Sequence, residues 1–90
     1  MTLLDWPDRV LARVRAVHPH PEHPEWPRQL AELGFTPGEP VQVLRRAWPG
    51  GDPLVVRIGS ATFALRRAEL SCIEVEPAGP TAPVPTRTAP

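Results

Sequence analysis

Apolar and polar side chains alternate along much of this chain, and the alternation predicts a series of short strands. In residues 9–17, Val10, Ala12, Val14 and Ala16 fall on one face and Arg9, Arg13 and Arg15 on the other, with Leu11 and Val17 as partial exceptions. A period of two marks a half-buried strand, but Ala, Leu and Arg also favour helix, so the pattern alone leaves both open. Residues 40–47 repeat the theme. Val41 and Val43 face one way, Gln42 and Leu44 the other, and Arg45 and Arg46 break the alternation. Residues 54–58 and 61–65 flank Gly59 and Ser60, a two-residue hairpin turn. Residues 72–75 close the series as a fifth strand, with Cys72 a small hydrophobe at its start.

Helical spacing interrupts this pattern twice. Over residues 25–33, Trp26, Leu30 and Leu33 share a face, and Pro27 suits a first turn where its missing N–H costs nothing. Gly34 then serves as a left-handed cap and Phe35 folds back on the last turn. Thr36-Pro37-Gly38-Glu39 carries type II turn chemistry. Residues 66–70 make one helical turn. The segment His18-Pro19-His20-Pro21-Glu22-His23-Pro24 is a loop or polyproline-like spacer, because its prolines remove backbone donors. The order β, short helix, β, β, β, helical turn, β points to a small barrel or curled sheet. Its expected core is Val14, Val43, Val56, Ile58, Phe63, Leu65 and Ile73, with Leu30 and Leu33 plugging one end.

The length of 90 residues allows one compact domain. We place an N-terminal arm at 1–8, the domain at 9–76 and a Pro-rich disordered tail at 77–90. The ten basic side chains, all Arg, balance ten acidic ones. That zero net charge argues against nucleic acid, whose non-specific binding feeds on counterion release. The single cysteine excludes an internal disulfide. No apolar run approaches the roughly 20 residues of a membrane span, and the first residues carry acid where a signal peptide carries base. The expectation is a cytoplasmic protein without direct membrane insertion, recruited to the inner face of the membrane only by a partner. Catalysis fails on inventory. The chain has no Lys or Tyr, Ser60 and Ser71 lack an activating context, and Gly50-Gly51 lacks the ending of a phosphate loop.

Three groups carry candidate chemistry. His18, His20 and His23, with Glu22 among them, offer ligands of the type that hold zinc or ferrous iron. The competing reading is a solvated loop, since the prolines spread alternate residues along an extended chain. No cofactor is required, and weak transition-metal binding is the extent of the metal expectation. Arg45, Arg46, Arg57, Arg66 and Arg67 form the densest basic set, either a solvated wall or a surface for an acidic patch on a partner. Trp48, in a Pro-Gly loop, is either an anchor for a partner or a cap on one end of the fold. Trp6 and Trp26 both precede prolines and could cover a small core; exposed, they would favour a homo-oligomer.

The order of these pieces resembles the FeoA family. The resemblance lies in Leu30-Ala31-Glu32-Leu33-Gly34-Phe35-Thr36-Pro37-Gly38 with the strand that follows it. It continues in Gly51-Asp52-Pro53-Leu54-Val55-Val56-Arg57-Ile58-Gly59 and in Phe63-Ala64-Leu65-Arg66-Arg67-Ala68-Glu69-Leu70. It runs from about Val10 to Glu76 and departs from the family at the His-Pro segment. The resemblance implies a mainly β fold, a small SH3-like barrel of about five strands with a short helix between strands 1 and 2. It also implies an accessory role in ferrous iron uptake beside a FeoB-like membrane GTPase permease, with Leu30, Leu33 and Phe35 in the contact surface. The alternative is a metal sensor or buffer built on the His-Pro loop.

Overall fold

The computed structural model describes residues 1–46 and 52–78. Its elements are β1 (Ala12–Val17), α1 (Trp26–Leu33), β2 (Pro40–Arg46), β3 (Leu54–Ile58), β4 (Ala61–Leu65), α2 (Arg67–Leu70) and β5 (Ile73–Pro77). The five strands form one antiparallel sheet in the order β4-β3-β2-β1-β5. Mainly β architecture with a helix between the first two strands therefore matches the expectation.

Closure into a barrel does not. The sheet is open, with β4 at one edge and β5 paired only to β1 among the named strands. The reason lies in the N-terminal segment. Leu3 N–H donates to the Ile73 carbonyl at 2.8 Å, Val75 N–H donates to the Met1 carbonyl at 2.9 Å, and Thr2 bridges Glu74. Residues 1–3 thus occupy the outer edge of β5, the edge that a barrel would have offered to β4. An unpaired edge is costly or hazardous, and a short covering segment answers that need as closure does.

Irregularities in two pairings set which side chains face in. The register shifts between Val14 and Ala16 where β1 meets β5, and between Val43 and Arg45 where β2 meets β3. Bulges of this kind bend a strand and increase its twist. After the second shift, Arg45 lies opposite Val55 and Arg46 opposite Leu54. The β3–β4 hairpin is regular, pairing Leu54 with Leu65 through Ile58 with Ala61.

The inner face buries Val14, Val41, Val43, Leu54, Val56, Ile58, Leu65, Ile73 and Val75, with Leu30 of α1 and Leu70 of α2 laid over it. Phe63 is only half-buried and packs at the margin, its ring centroid 6.4 Å from that of Phe35. Val10 was expected on the buried face but is 44% exposed, because the strand begins only at Ala12.

The helix ends as its sequence requires. Gly34 has φ 115°, its N–H donates to the Ala31 carbonyl, and Phe35 N–H donates to the Leu30 carbonyl. This is the reciprocal closure of a Schellman cap. A side chain at Gly34 would sit 3.7 Å from Ile58 Cγ1, an ordinary contact, so the obstacle is the backbone conformation. Gly34→Ala is expected to cost about 1–2 kcal/mol for forcing an L-residue into the left-handed region, read as a lower urea midpoint.

Candidate functional site

The corner after α1 divides its three apolar residues. Leu30 and Phe35 are each 1% exposed and form core, whereas Leu33 is 38% exposed. Leu33 therefore does not plug the end of the sheet as expected. It stands outside, beside a turn held by Glu39 N–H to the Thr36 carbonyl and by Gly38 at φ 95°. Arg13 fixes this corner to β1 by donating from Nη1 to the Gly38 carbonyl at 2.7 Å. Of the three, only Leu33 offers side-chain surface to a partner.

The arginines separate in the same way. Arg46, turned by the bulge, forms a fork-like pair with Asp8: its Nε lies 3.1 Å from both carboxylate oxygens and its Nη2 2.9 Å from Oδ1. It is committed within the fold. Arg66 and Arg67 stand at the start of α2. There Glu69 Oε1 accepts the Arg66 N–H at 2.7 Å and Asp52 Oδ1 accepts the Arg67 N–H at 2.9 Å. These two bonds satisfy orphan donors of the short helix. Asp52 is thus a structural cap supplied from the start of the β3 segment. Among the described residues, the side chains of Arg45, Arg57, Arg66 and Arg67 pair with no carboxylate. Trp48 lies outside the described residues.

One surface feature escaped the alternation pattern. On the outer face of β2, β3 and β4, a surface cavity of about 530 Å³ is lined by Arg9, Gln42, Leu44, Arg45, Val55 and Thr62. Arg9 reaches it by a special backbone. Its φ is 67°, its N–H donates to the Val43 carbonyl at 2.7 Å, and its own carbonyl accepts from Gln42 Nε2 at 2.7 Å. The sequence signal was limited to Gln42 and Leu44 facing away from the core.

His20 and His23 come together, their ring centroids 5.4 Å apart, but the three histidines do not form one cluster. His18 Nε2 lies 2.6 Å from Glu74 Oε1, across on β5. His20 Nδ1 accepts the Glu22 N–H at 3.0 Å. His23 stacks on Trp26 at 4.1 Å between ring centroids, 3° from parallel, with its Nδ1 facing Glu25 at 3.3 Å. Among the described residues no group of three His, Cys, Asp or Glu side chains could hold a metal ion. As arranged, these residues do not fit a metal centre. Cys72 is buried, its thiol donates to the Ala68 carbonyl at 3.5 Å, and burial pushes its pKa up, which suits a core residue better than a ligand.

Hydrogen bonding to His18 is the main influence holding the Glu74 carboxyl below its ordinary value, with Arg15 at 3.2 Å adding to it. A carboxyl depressed in the folded state binds fewer protons there than in the unfolded chain. Its stabilisation is therefore present above the ordinary carboxylate range and lost as pH falls through and below it. The melting temperature of Glu74→Gln should decline less steeply than that of the unaltered chain across that acid window. An unchanged slope would contradict the assignment.

No helix among the described residues is long and apolar enough to cross a membrane. Comparison with known proteins bears on the whole arrangement. The FeoA domain model matches residues 1–77. A FeoA of Stenotrophomonas maltophilia, an SH3 domain protein crystallised in complex with zinc, superposes with a TM-score of 0.75 at 37% identity, covering 84% of this chain and 89% of that one. The FeoA protein of Chlorobium tepidum gives a TM-score of 0.75 at 32% identity over 88% of this chain and 71% of that one. A manganese-dependent transcriptional repressor shares the architecture at 25% identity and a TM-score of 0.66, and this chain spans only 39% of its length. Comparison with curated proteins gave no match. The match spans the N-terminal segment, the sheet and both helices, and the chain belongs to the FeoA family of SH3-like, non-catalytic accessory domains in ferrous iron transport.

Proposed function

We propose that this chain is a cytoplasmic accessory protein of ferrous iron uptake, which binds the cytoplasmic part of a FeoB-type GTPase permease and modulates its assembly or activity. The single observation that carries the reading is the family match across residues 1–77. Two surfaces are available for docking. Leu33 projects from the corner after α1, and Arg45 and Arg57 project from the outer face of the sheet without an internal partner among the described residues. Arg66 and Arg67, exposed at the start of α2, add two further basic side chains. Leu30, Phe35 and Arg46 support these surfaces from within, because each is engaged in the fold. Any membrane recruitment would then follow from the partner.

A metal-sensing or buffering role through His18, His20 and His23 has less support. Among the described residues the three rings belong to no group of three His, Cys, Asp or Glu side chains that could hold a metal ion. The docking reading is tested by co-purification. The tagged chain, expressed in iron-limited cells that contain a FeoB-type permease, should retain the permease through detergent extraction. Absence of the permease from every eluate, with and without added GTP analogue, would count against the reading.

A further inference from the structure

The outer-face cavity combines cationic, hydrogen-bonding and apolar elements on a rigid sheet. Leu44 and Val55 are half-buried and give it an apolar lining, Gln42 and Thr62 supply amide and hydroxyl groups, and Arg9 and Arg45 bring guanidinium groups to it. Arg57 belongs to the same surface by register, since it pairs with Gln42 on one side and Thr62 on the other. We infer that this cavity is a recognition site for an acidic segment of a partner protein, an extended stretch in which carboxylates alternate with apolar side chains.

Charge accounting leads to this occupant. All ten acidic side chains of the chain fall within the described residues. None of them lies within ion-pairing distance of Arg9, Arg45 or Arg57. The five acidic groups that do pair are taken by Arg15, His18, His23, Arg28 and Arg46. No acidic side chain of the chain complements these three arginines, which leaves them free to meet carboxylates of another molecule. Guanidinium forks match carboxylates in fixed geometry, and depressions with an apolar lining and a few placed polar groups are where side chains anchor.

Shape selects a protein segment over other anions. A concave site with Leu44 and Val55 in its lining accepts an apolar side chain, which a flat lipid headgroup surface does not present. A chain of zero net charge lacks the broad cationic field by which nucleic acid is held. The backbone also pre-places Arg9. Its left-handed conformation is disfavoured for a non-glycine residue and is held here by the bonds to Val43 and Gln42.

This inference rests on the reading of the chain as a docking protein, and its test separates the two. The full chain is titrated against a fluorescein-labelled peptide of alternating glutamate and leucine. A peptide with lysine in place of glutamate, vesicles containing phosphatidylglycerol and a DNA oligonucleotide run in parallel. Saturable, salt-sensitive binding of the acidic peptide alone is expected. Arg45→Glu should weaken it about tenfold, as reversal of one close charge pair does. Arg28→Glu, with the same change in net charge but on α1, should leave it unchanged. Circular dichroism confirms that both variants fold. Equal binding of the two peptides, equal effects of the two variants, or tighter binding to vesicles or DNA overturns the inference. Should the permease bind the unaltered chain and Arg45→Glu alike, the acidic site is refuted while the docking role stands. Should it bind neither, the docking role itself fails.

Discussion

A Leu3→Ala chain is expected to lose about 3 kcal/mol of folding stability, the size of a buried leucine truncated in a core that relaxes only in part. Leu3 is completely buried although it lies only two residues from the N-terminus. Its N–H pairs with Ile73, and its side chain joins the cluster that includes Leu70 and Ile73. The loss should be severe in practice because a domain of this size has a thin margin. Urea denaturation reads it as a lower midpoint at unchanged slope. Val10→Ala, at a side chain 44% exposed, provides the contrast and should change stability by no more than about 0.5 kcal/mol. A loss below about 1 kcal/mol for Leu3→Ala would show that the N-terminal segment is not part of the core.

The second large effect separates structure from docking at the corner after α1. Phe35→Ala should cost about 3–5 kcal/mol, since the residue is 1% exposed within the core cluster and its ring lies 6.4 Å from that of Phe63 on β4. Leu33→Ala should cost less than about 1 kcal/mol because its side chain is already partly in water. Yet Leu33→Ala, and not a stability-matched core variant, should weaken association with the permease. Chemical denaturation and a binding titration on the same preparations check both halves. Equal destabilisation by the two substitutions would mean that the corner is uniformly structural.

Local chemistry made much of this fold legible. The alternation in residues 54–58 and 61–65 around Gly59 and Ser60 specified a hairpin, and the pairing follows that register. Gly34 and Gly38 announced positive φ values and both have them. Closure was misread because it depends on a contact between the two ends of the domain. Residues 1–3 show no periodicity, and nothing in Thr2 or Leu3 signals that they will lie along β5. The phase of the second arginine was lost for a different reason. The break at Arg45 and Arg46 was visible, but only the bulge determines that Arg45 faces Val55 outside while Arg46 turns to Asp8.

The candidate site shows the same division. Residue types told which side chains could do chemistry, and topology decided which were free to do it. His18, His20 and His23 form a compact set in sequence, but His18 is drawn to Glu74 on a distant strand and His23 stacks on Trp26. The alternation makes Arg9 one more outward residue of a strand. Its place in the cavity arises from a left-handed backbone that periodicity does not register.

The central claim is that this domain works by docking on a permease. The most direct measurement titrates the full chain onto a FeoB-type permease reconstituted in lipid nanodiscs, with GDP, with a non-hydrolysable GTP analogue and without nucleotide. Saturable binding in at least one state, weakened by both Leu33→Ala and Arg45→Glu, is the result expected. No saturable binding in any of the three states would contradict the account.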